Sequence, residues 1–282
     1  MEVASHIQEI RTRAAAARHV GRSIGFVPTM GALHAGHTSL IDASRKDGRF
    51  TVVSIFVNPT QFAPGEDFAG YPRTTEADLN ICREHGVDLV FTPSADELYP
   101  PGDQTRVRVG PLAETLCGPF RPGHFEGVCT VVARLFHIVQ PDVAYFGQKD
   151  AQQAVIIRRM VRDLCMPLTI DVRPIVREPD GLAMSSRNAY LSPDERRQAA
   201  GVYAALCAGR DLIRAGERRA GKIVTEMRRV LARAGPCTVD YLSVVDPETL
   251  TDKTEATAPV MLAAAVRIGK TRLIDNLIVN EG

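Results

Sequence analysis

The chain shows two successive patterns of apolar and polar residues. Over the first two thirds, short apolar runs rich in β-branched residues are separated by stretches with helical periodicity. Continuous apolar runs are typical of parallel strands that are covered on both faces. The runs predict five buried strands, which span Ser23–Thr29, Thr51–Val57, Asp88–Pro93, Asp142–Gly147 and Pro167–Val176.

Helical patterns occupy the stretches between these strands. Residues 74–86 carry helix start and stop signals, residues 127–139 are apolar nearly all round, and residues 149–164 have one apolar and one basic face. Residues 1–13 are polar and predict another helix. Strands that alternate with helices form βαβ units, so the sequence predicts an α/β fold with a Rossmann-like, doubly wound parallel sheet.

The pattern changes after Ser192. Residues 193–216 and 219–235 predict two amphipathic helices, and residues 237–246, 259–269 and 271–279 predict three strands in series. Strands in series favour a small antiparallel sheet. We therefore expect a smaller C-terminal α+β domain, and we divide the chain into residues 1–186 and residues 187–282.

Composition and charge argue against several classes of protein. The 282 residues include 34 basic and 33 acidic side chains, a net charge of +1, which offers no broad surface for nucleic acid or membranes. No run approaches the ~18 apolar residues of a membrane span, and residues 1–13 lack the pattern of a signal peptide. The six cysteines form no Cys-x-x-Cys pair, so we expect reduced thiols in a cytoplasmic protein.

The segment Met30–His37 follows the first predicted strand and holds the most distinctive chemistry. His34 and His37 would share one face of a helix that starts near Gly36, and a helix N-terminus attracts phosphate through its unpaired N–H groups. Gly31 and Gly36 would let a bulky ligand lie against the backbone. The segment therefore predicts a site for a nucleotide polyphosphate.

Two other interpretations of this segment remain. In the first, the histidines are surface residues beside turn glycines. In the second, they are part of a zinc site. No cysteine or third histidine lies nearby at metal-ligand spacing, so the zinc interpretation is the weaker one.

Two later clusters add cationic and hydroxyl groups. Met184–Arg187 places two hydroxyls beside a guanidinium, and Lys149 stands where a strand ends at Gly147 and a helix begins; both arrangements suit phosphate oxygens. Taken alone, a serine-rich loop and a solvated lysine at a helix start would also explain them. Residues 216–223 nearly match a Walker A loop, but Ile223 replaces its hydroxyl residue and no strand precedes it.

Taken together, the motifs resemble those of a known family. His34–His37 and Met184–Arg187 are similar to the signatures of nucleotidyl-transferring α/β enzymes, which include class I aminoacyl-tRNA synthetases and small adenylyl- and cytidylyltransferases. Four further segments point to one family within this group: residues 57–62, 71–74, 121–132 and 142–153. On these segments the chain resembles the pantoate–β-alanine ligase family over about residues 1–280.

The resemblance implies an AMP-forming ligase of coenzyme A precursor biosynthesis. In that family the carboxylate of pantoate attacks the α-phosphorus of ATP, and the amine of β-alanine then attacks the adenylate to give pantothenate, AMP and pyrophosphate. His37 is favoured as proton donor, although the sequence itself does not rank the two histidines. The implied catalytic residues are His34, His37, Lys149 and Arg187. The implied ATP contacts are Met30, Gly31, Ala32, Leu33, His34, Ala35, Gly36, His37, Gly147, Gln148, Lys149, Asp150, Val176, Met184, Ser185, Ser186 and Arg187.

The resemblance also implies the contacts of the other two substrates. Gln61 and Gln153 would bind pantoate, because a neutral amide can both donate to and accept from its carboxylate and hydroxyls. Gln61 would also meet β-alanine. Asn58 and Tyr71 would be neighbours of these ligands.

The remaining implications concern the metal, the domains and the assembly. Mg²⁺ would accompany ATP, and Asp78 falls where the family carries acidic residues. Ala77 beside it breaks that pattern, which favours phosphate and water as the main ligands. Residues 1–186 would bind nucleotide and pantoate, residues 187–282 would form a lid, and the protein would be a homodimer.

Three rival functions are weighed against this one. A nucleotidyltransferase that makes a CDP-linked product would share the histidine motif, but it does not explain the paired glutamines or residues 146–153. A tRNA-charging enzyme would need a broad basic face, which a net charge of +1 does not offer. A sensor that binds ATP without chemistry is disfavoured because all the proposed charged groups are present.

Overall fold

The chain forms two compact units in the computed structural model, which describes residues 1–63 and 65–280. The first unit comprises Met1–Ala113, Arg121–Gly147 and Ile156–Pro174. The second comprises Glu114–Phe120, Gln148–Val155 and Ile175–Gly282, of which residues 281–282 lie outside the described residues. The boundary expected at residues 186 and 187 falls inside the second unit's last segment, and as a functional division it stays a prediction.

A six-stranded parallel sheet forms the centre of the first unit. The strand order is β1-β4-β3-β2-β5-β6, with every neighbouring pair parallel. The predicted α/β class and the five predicted strands are confirmed, with shorter bounds. The strands are β1 Glu2–Ala4, β2 Ile24–Thr29, β3 Phe50–Ile55, β4 Leu89–Phe91, β5 Val143–Gly147 and β6 Thr169–Arg173.

The first strand corrects the expectation that residues 1–13 are helical throughout. Glu2–Ala4 pairs in parallel with Leu89–Phe91 at the edge of the sheet, and the helix begins only at Ile7. Ala4 is buried, whereas Glu2 and Val3 are exposed. A strand of three residues with one buried position is too short to show a period of two in the sequence.

Helices connect these strands. The helix predicted over residues 127–139 is confirmed, with a start at His124, and almost every residue of His124–Val139 is buried, which explains why its sequence is apolar nearly all round. The helices are α1 Ile7–His19, α2 Ala35–Lys46, α3 Thr75–Glu84, α4 Ala95–Leu98, α5 His124–Val139 and α6 Ala151–Asp163. Within the described residues, no helix is long and apolar enough to cross a membrane.

The strand order places a topological switch point between β2 and β5. From β2 the chain continues to β3 and β4 on one side, and it then returns to β5 on the other side of β2. Ligands of such sheets bind outside the carboxyl ends of the strands at this point. The segments that directly follow these two strand ends are Met30–His37 and Gln148–Asp150.

The second unit has its own antiparallel sheet and core. Strands β7 Thr238–Val245, β8 Val260–Ile268 and β9 Thr271–Val279 pair in the order β7-β8-β9. Helices α7 Pro193–Arg214 and α8 Ala220–Ala234 share an apolar core with this sheet, as the predicted α+β domain requires. The Walker-like residues 216–223 span the junction of α7 and α8, so the rejection of that motif is confirmed.

Candidate active site

The chain takes an unusual backbone path between β2 and α2. Gly31 has φ +84° and Ala32 has φ +50°, two consecutive residues in the left-handed region. A Cβ on Gly31 would lie 2.9 Å from Oδ2 of Asp78, so glycine is needed here for space as well as for conformation. For Ala32 the left-handed conformation has a steric cost, and other contacts must hold it in place.

Asp78, in the first turns of α3, supplies those contacts. Its Oδ1 accepts a hydrogen bond from the Leu33 N–H at 2.8 Å, and its Oδ2 accepts from the Ala32 N–H at 3.0 Å. The Thr74 hydroxyl also donates to Oδ2, at 3.2 Å, and Asp78 is only 1% exposed. The carboxylate therefore anchors the backbone of Met30–His37, which we call the nucleotide segment after its predicted ligand.

The same contacts argue against Asp78 as a magnesium ligand. Both of its oxygens already accept backbone N–H groups, and it is enclosed by the segment that it holds. Among the described residues, no group of three or more His, Cys, Asp or Glu side chains could hold a metal ion. The donor set around Asp78 does not fit a protein-ligated magnesium centre.

His34 and His37 cap the start of α2 with their side chains. Nδ1 of His34 accepts the Gly36 N–H at 3.1 Å, and Nδ1 of His37 accepts the His34 N–H at 3.3 Å. The two contacts form a reciprocal capping box in which imidazoles replace the usual serine and glutamate. The spacing of three residues is therefore required by the helix start.

The caps assign the tautomer of both rings. A ring nitrogen that accepts a hydrogen bond carries no proton, so each neutral imidazole must carry its proton on Nε2. The two ring centroids of His34 and His37 lie 4.2 Å apart with the planes tilted by 40°. Two Nε2–H donors beside the N–H groups of a helix start form an arrangement that suits phosphate oxygens.

The predicted substrate residues of the first unit lie around a 3₁₀ turn at Pro59–Gln61, directly after β3. Asn58 is 1% exposed, and its Oδ1 accepts hydrogen bonds from the Thr60 and Tyr99 hydroxyls at 3.0 and 2.8 Å. Its Nδ2 donates to Oε1 of Gln61 at 3.1 Å. Asn58 thus holds the amide of Gln61 in one orientation.

Two further side chains border this turn. Nε2 of Gln61 lies 2.8 Å from the sulfur of Met30, which joins the turn to the start of the nucleotide segment. Tyr71 is 5% exposed, and its ring meets that of Phe62 edge to face with centroids 5.9 Å apart. The structure therefore brings Met30, Asn58 and Gln61 together in the first unit.

In the second unit, the segment Gln148–Asp150 forms a 3₁₀ turn directly before α6. Nδ2 of Asn276 in β9 donates to the carbonyl oxygens of Gln148 and Lys149 at 2.8 and 3.1 Å, and Nε2 of Gln148 donates to Oδ1 of Asn276 at 3.2 Å. Nζ of Lys149 lies 3.9 Å from Oδ1 of Asp150. Asn276 thus fixes the backbone that carries the ammonium group.

The neighbouring residue of β9 holds a second predicted segment. Arg177 donates through both terminal nitrogens to Asp275, at 2.6 and 2.9 Å, and also to the carbonyl oxygen of Gly181 at 3.0 Å. Burial raises the pKa of Asp275 above its usual range, against the opposing effect of Arg177. The buried ion pair fixes the turn that leads into Met184–Arg187.

The segment Met184–Arg187, which the sequence predicts to bind phosphate, is ordered by local hydrogen bonds. The Met184 N–H donates to the carbonyl oxygen of Val176 at 3.0 Å, and the hydroxyl of Ser185 accepts the Arg187 N–H at 3.3 Å. The Ser185 hydroxyl is thus the cap of the 3₁₀ turn Ser186–Tyr190. Gln153 lies half-buried in the first turn of α6.

The predicted residues are divided between the two units. Asn58, Gln61, Tyr71, Asp78 and the whole segment Met30–His37 belong to the first. The second holds Gln148, Lys149, Asp150, Gln153, Val176, Met184, Ser185, Ser186 and Arg187, whereas Gly147 ends the first. That one triphosphate meets both histidines, Lys149 and Arg187 stays a prediction.

Sequence reasoning missed the side chains that hold these segments from behind. Asp275 and Asn276 are 5% and 3% exposed, and they interrupt the apolar run 273–279 of β9. Buried polar residues are hydrogen-bonded, so their presence in β9 was a readable signal of a network, although not of its partners. Arg177 carried no comparable signal in the sequence.

Comparison with known proteins identifies the same family over nearly the whole chain. Residues 2–278 match the model of the pantoate-beta-alanine ligase family. The pantothenate synthetase of Moorella thermoacetica is 52% identical over 279 residues, 99% of each chain, and that of Thermotoga petrophila is 50% identical over 99% of this chain and 100% of the relative.

Solved structures give the same result. A crystal structure of pantothenate synthetase from Thermus thermophilus superimposes with a TM-score of 0.94 at 46% identity, covering 100% of both chains. The pantoate-beta-alanine ligase of Francisella tularensis, in a complex with beta-gamma ATP and beta-alanine, superimposes with a TM-score of 0.80 at 33% identity, covering 99% of this chain and 97% of the other.

Proposed function

The chain belongs to the pantoate–β-alanine ligase family, and we propose that it joins pantoate to β-alanine with ATP as the energy source. A carboxylate oxygen of pantoate attacks the α-phosphorus of ATP, and the bond to the bridging oxygen of pyrophosphate breaks. The amine of β-alanine then attacks the acyl carbon of pantoyl adenylate. The acyl C–O bond breaks, AMP leaves, and the amine loses a proton to give pantothenate.

The capping geometry of His34 and His37 is the observation that carries this proposal. Because both Nδ1 atoms accept backbone N–H groups, both neutral rings carry their proton on Nε2, where it can be donated. They would stabilise negative charge that develops on the phosphate oxygens and pyrophosphate during the first step, and His37 would be the proton donor. Preorganised donors of this kind stabilise a transition state without reorganisation.

Lys149 and Arg187 would supply the remaining positive charge. Lys149 lies on a turn whose backbone is fixed by Asn276, so the side chain that carries the ammonium group extends from a fixed position. It would neutralise charge on the α-phosphate, while Arg187 and the hydroxyls of Ser185 and Ser186 would hold the outer phosphates. An acyl adenylate hydrolyses readily when water reaches it, so the C-terminal domain would act as a lid that excludes water.

The remaining residues of the proposed nucleotide site would contact the floor and the adenine of ATP. Met30–His37 would form the floor for ATP, Gly147–Asp150 would line the nucleotide, and Val176 would contact adenine through its backbone. The carbonyl oxygen of Val176 already accepts the Met184 N–H, so its N–H group is the one we assign to adenine.

Pantoate would lie against the amides of Gln61 and Gln153. Asn58 donates to Oε1 of Gln61, and one N–H of Gln61 Nε2 is directed at the Met30 sulfur, so the second N–H is the one we assign to a carboxylate or hydroxyl oxygen. We therefore assign Asn58 a role through Gln61 and keep Tyr71 as an apolar wall, since it is buried against Phe62. Gln61 would also meet β-alanine.

Three further proposals follow from the family. Mg²⁺ would arrive with ATP and take phosphate oxygens and water as ligands, since Asp78 is occupied as a backbone anchor. The enzyme would work as a homodimer, which light scattering of the purified chain would test. A cytoplasmic location is supported by six free cysteines, because reducing compartments keep thiols unpaired.

Isotope transfer with product analysis tests the reaction. Pantoate labelled with ¹⁸O in its carboxylate is incubated with ATP, Mg²⁺ and β-alanine. The proposed route leaves one labelled oxygen in AMP, since the oxygen that attacks phosphorus departs with AMP. Label in inorganic phosphate together with ADP would instead indicate an acyl phosphate and would overturn the proposal.

A second assay separates this function from that of other nucleotidyltransferases. Exchange of pyrophosphate into ATP should require pantoate and should not occur with acids that lack its hydroxyl groups. Exchange that proceeds equally with such acids, or with CTP in place of ATP, would contradict the assignment of substrate.

A further inference from the structure

A chain of three polar side chains ends on the backbone of Gln61. Arg121 and Glu66 form a two-bond ion pair, with Nε to Oε1 and Nη2 to Oε2 distances of 2.7 Å each. Nη1 of Arg121 lies 2.8 Å from Nε2 of His124, and Nδ1 of His124 lies 2.7 Å from the carbonyl oxygen of Gln61. We refer to Glu66, Arg121 and His124 as the His124 brace.

The ion pair fixes the orientation of the guanidinium. Burial alone would raise the pKa of Glu66, but the hydrogen bonds and charge of Arg121 outweigh this, so the pKa is lowered. Glu66 is therefore ionised at neutral pH, and a bidentate pair holds the plane of the guanidinium. The nitrogen of Arg121 that is not used in the pair is the one directed at His124.

The contacts at both ring nitrogens determine the state of His124. A guanidinium can only donate, so Nε2 of His124 must be an acceptor without a proton. A carbonyl oxygen can only accept, so Nδ1 must carry the proton. His124 is thus a neutral Nδ1–H imidazole, the opposite tautomer to that of His34 and His37.

The brace acts on a turn that the first part of α5 already supports. A Cβ on Gly127 would lie 2.2 Å from the carbonyl oxygen of Thr60, so α5 packs directly against the turn there. The carbonyl oxygen of Gly127 accepts a hydrogen bond from Asn58 at 3.2 Å. Two side chains reach the peptide group of Gln61 itself: His124 at 2.7 Å and, more distantly, Nη2 of Arg121 at 3.4 Å, both to the carbonyl oxygen. The bond from His124 is the shorter of the two.

We infer that His124 is a positioning residue for pantoate: through one hydrogen bond to the Gln61 backbone it holds the Gln61 amide in its binding orientation. The inference rests on the proposed function, since it takes Gln61 as the pantoate ligand. Arg121 and Glu66 contribute by keeping the imidazole neutral and its proton on Nδ1. Loss of this proton donor raises the KM for pantoate and leaves the KM for ATP unchanged.

Two amide substitutions separate the ring's two functions. The side-chain nitrogen of asparagine can take the place of Nδ1, so His124→Asn keeps a donor for Gln61. Glutamine places its polar atoms near Nε2, so His124→Gln keeps an acceptor for Arg121 and loses the donor. We expect His124→Ala and His124→Gln to raise the pantoate KM by roughly tenfold, the scale of one hydrogen bond, and His124→Asn by less than threefold.

A double-mutant cycle with Gln61→Ala distinguishes positioning from a general structural role. If His124 acts through the Gln61 amide, then His124→Ala adds nothing to the pantoate KM once that amide is removed. Equal effects of His124→Ala in both backgrounds would overturn the inference. A rise in the ATP KM that matches the rise for pantoate would also overturn it.

The tautomer gives a readout that does not depend on catalysis. In protein labelled with ¹⁵N at histidine, the ring signals that disappear in His124→Asn belong to His124. They should report a protonated Nδ1 and an unprotonated Nε2 at neutral pH, and the Nε2–H form or the charged ring would refute the brace. If the wild-type protein makes no pantothenate, the proposed function fails while this spectrum still tests the brace.

Discussion

Replacement of Asp78 by asparagine tests how the nucleotide segment is held. The change keeps the size of the side chain and removes its charge and one acceptor. Asparagine can still accept the Leu33 N–H through Oδ1, but its NH₂ group then faces the Ala32 N–H, which Asp78 now accepts at 3.0 Å. Two donors cannot bond, so the left-handed conformation of Ala32 loses its support.

The expected magnitude follows from these contacts. A hydrogen bond to a charged group contributes about 1.5–3 kcal/mol, and a buried donor left without a partner costs ~1–3 kcal/mol. The two contributions describe partly the same lost bond and are not fully additive, so we expect the free energy of unfolding to fall by about 2–4 kcal/mol. At ~2–4 °C per kcal/mol for a domain of this size, the thermal midpoint should fall on the order of 5–15 °C.

Thermal unfolding without nucleotide and ATP kinetics measure the two consequences. Glu76→Gln is the matched control, since it makes the same chemical change at an exposed position of the same helix turn. We expect the control to behave as wild type and Asp78→Asn to show an ATP KM raised by about tenfold, the effect of ~1.4 kcal/mol.

If Asp78 were instead a magnesium ligand, the effects of Asp78→Asn on the thermal midpoint and on the rate would be the opposite. A lost magnesium ligand would leave the midpoint in the absence of metal unchanged, and excess Mg²⁺ would restore the rate. A midpoint within 1 °C of wild type, combined with such rescue, would refute the assignment of Asp78 as a backbone anchor.

Three further predictions concern the proposed chemistry, Gln153 and the turn at Pro59–Gln61. His37→Ala and Lys149→Ala should each lower pantoate-dependent pyrophosphate exchange by ~10²–10³, the usual effect of losing one oxyanion donor, and losses below tenfold in both would contradict their roles. Gln153→Ala should raise the pantoate KM and leave the ATP KM within twofold; equal changes would count against its placement. Gly127→Ala, which introduces a methyl group 2.2 Å from a backbone carbonyl, should destabilise by ~1–3 kcal/mol and raise the pantoate KM. Gly221→Ala is its control: nothing lies within 4 Å of the new methyl group, so stability should be unchanged or slightly higher.

Features that depend on neighbouring residues could be predicted from the sequence. The β-branched runs identified β2 to β6 because a strand covered on both faces needs continuous apolar residues. The spacing of His34 and His37 indicated a shared helix face, since residues three apart are neighbours on a helix. The family resemblance rested on motifs of the same local kind.

Features that depend on distant residues could not be predicted. Asp78 is separated from Leu33 by 45 positions, and His124 from Gln61 by 63. Which side chain meets which backbone group depends on strand register and on how α3 and α5 pack, and neither is written in a local pattern. For the same reason the sequence left the tautomers of the histidines open, since each is determined by its hydrogen-bond partner.

The bonds from Asn276 to the Lys149 segment have a consequence for the order in which the enzyme is made. Gln148 leaves the ribosome 128 residues before its partner, and at ~5–20 residues per second the interval is roughly 6–25 s. During that time the parallel sheet can complete its strands, but the turn that carries Lys149 lacks its bonds to Asn276. Synthesis of β9 is therefore the step at which the turn that carries Lys149 acquires its anchor.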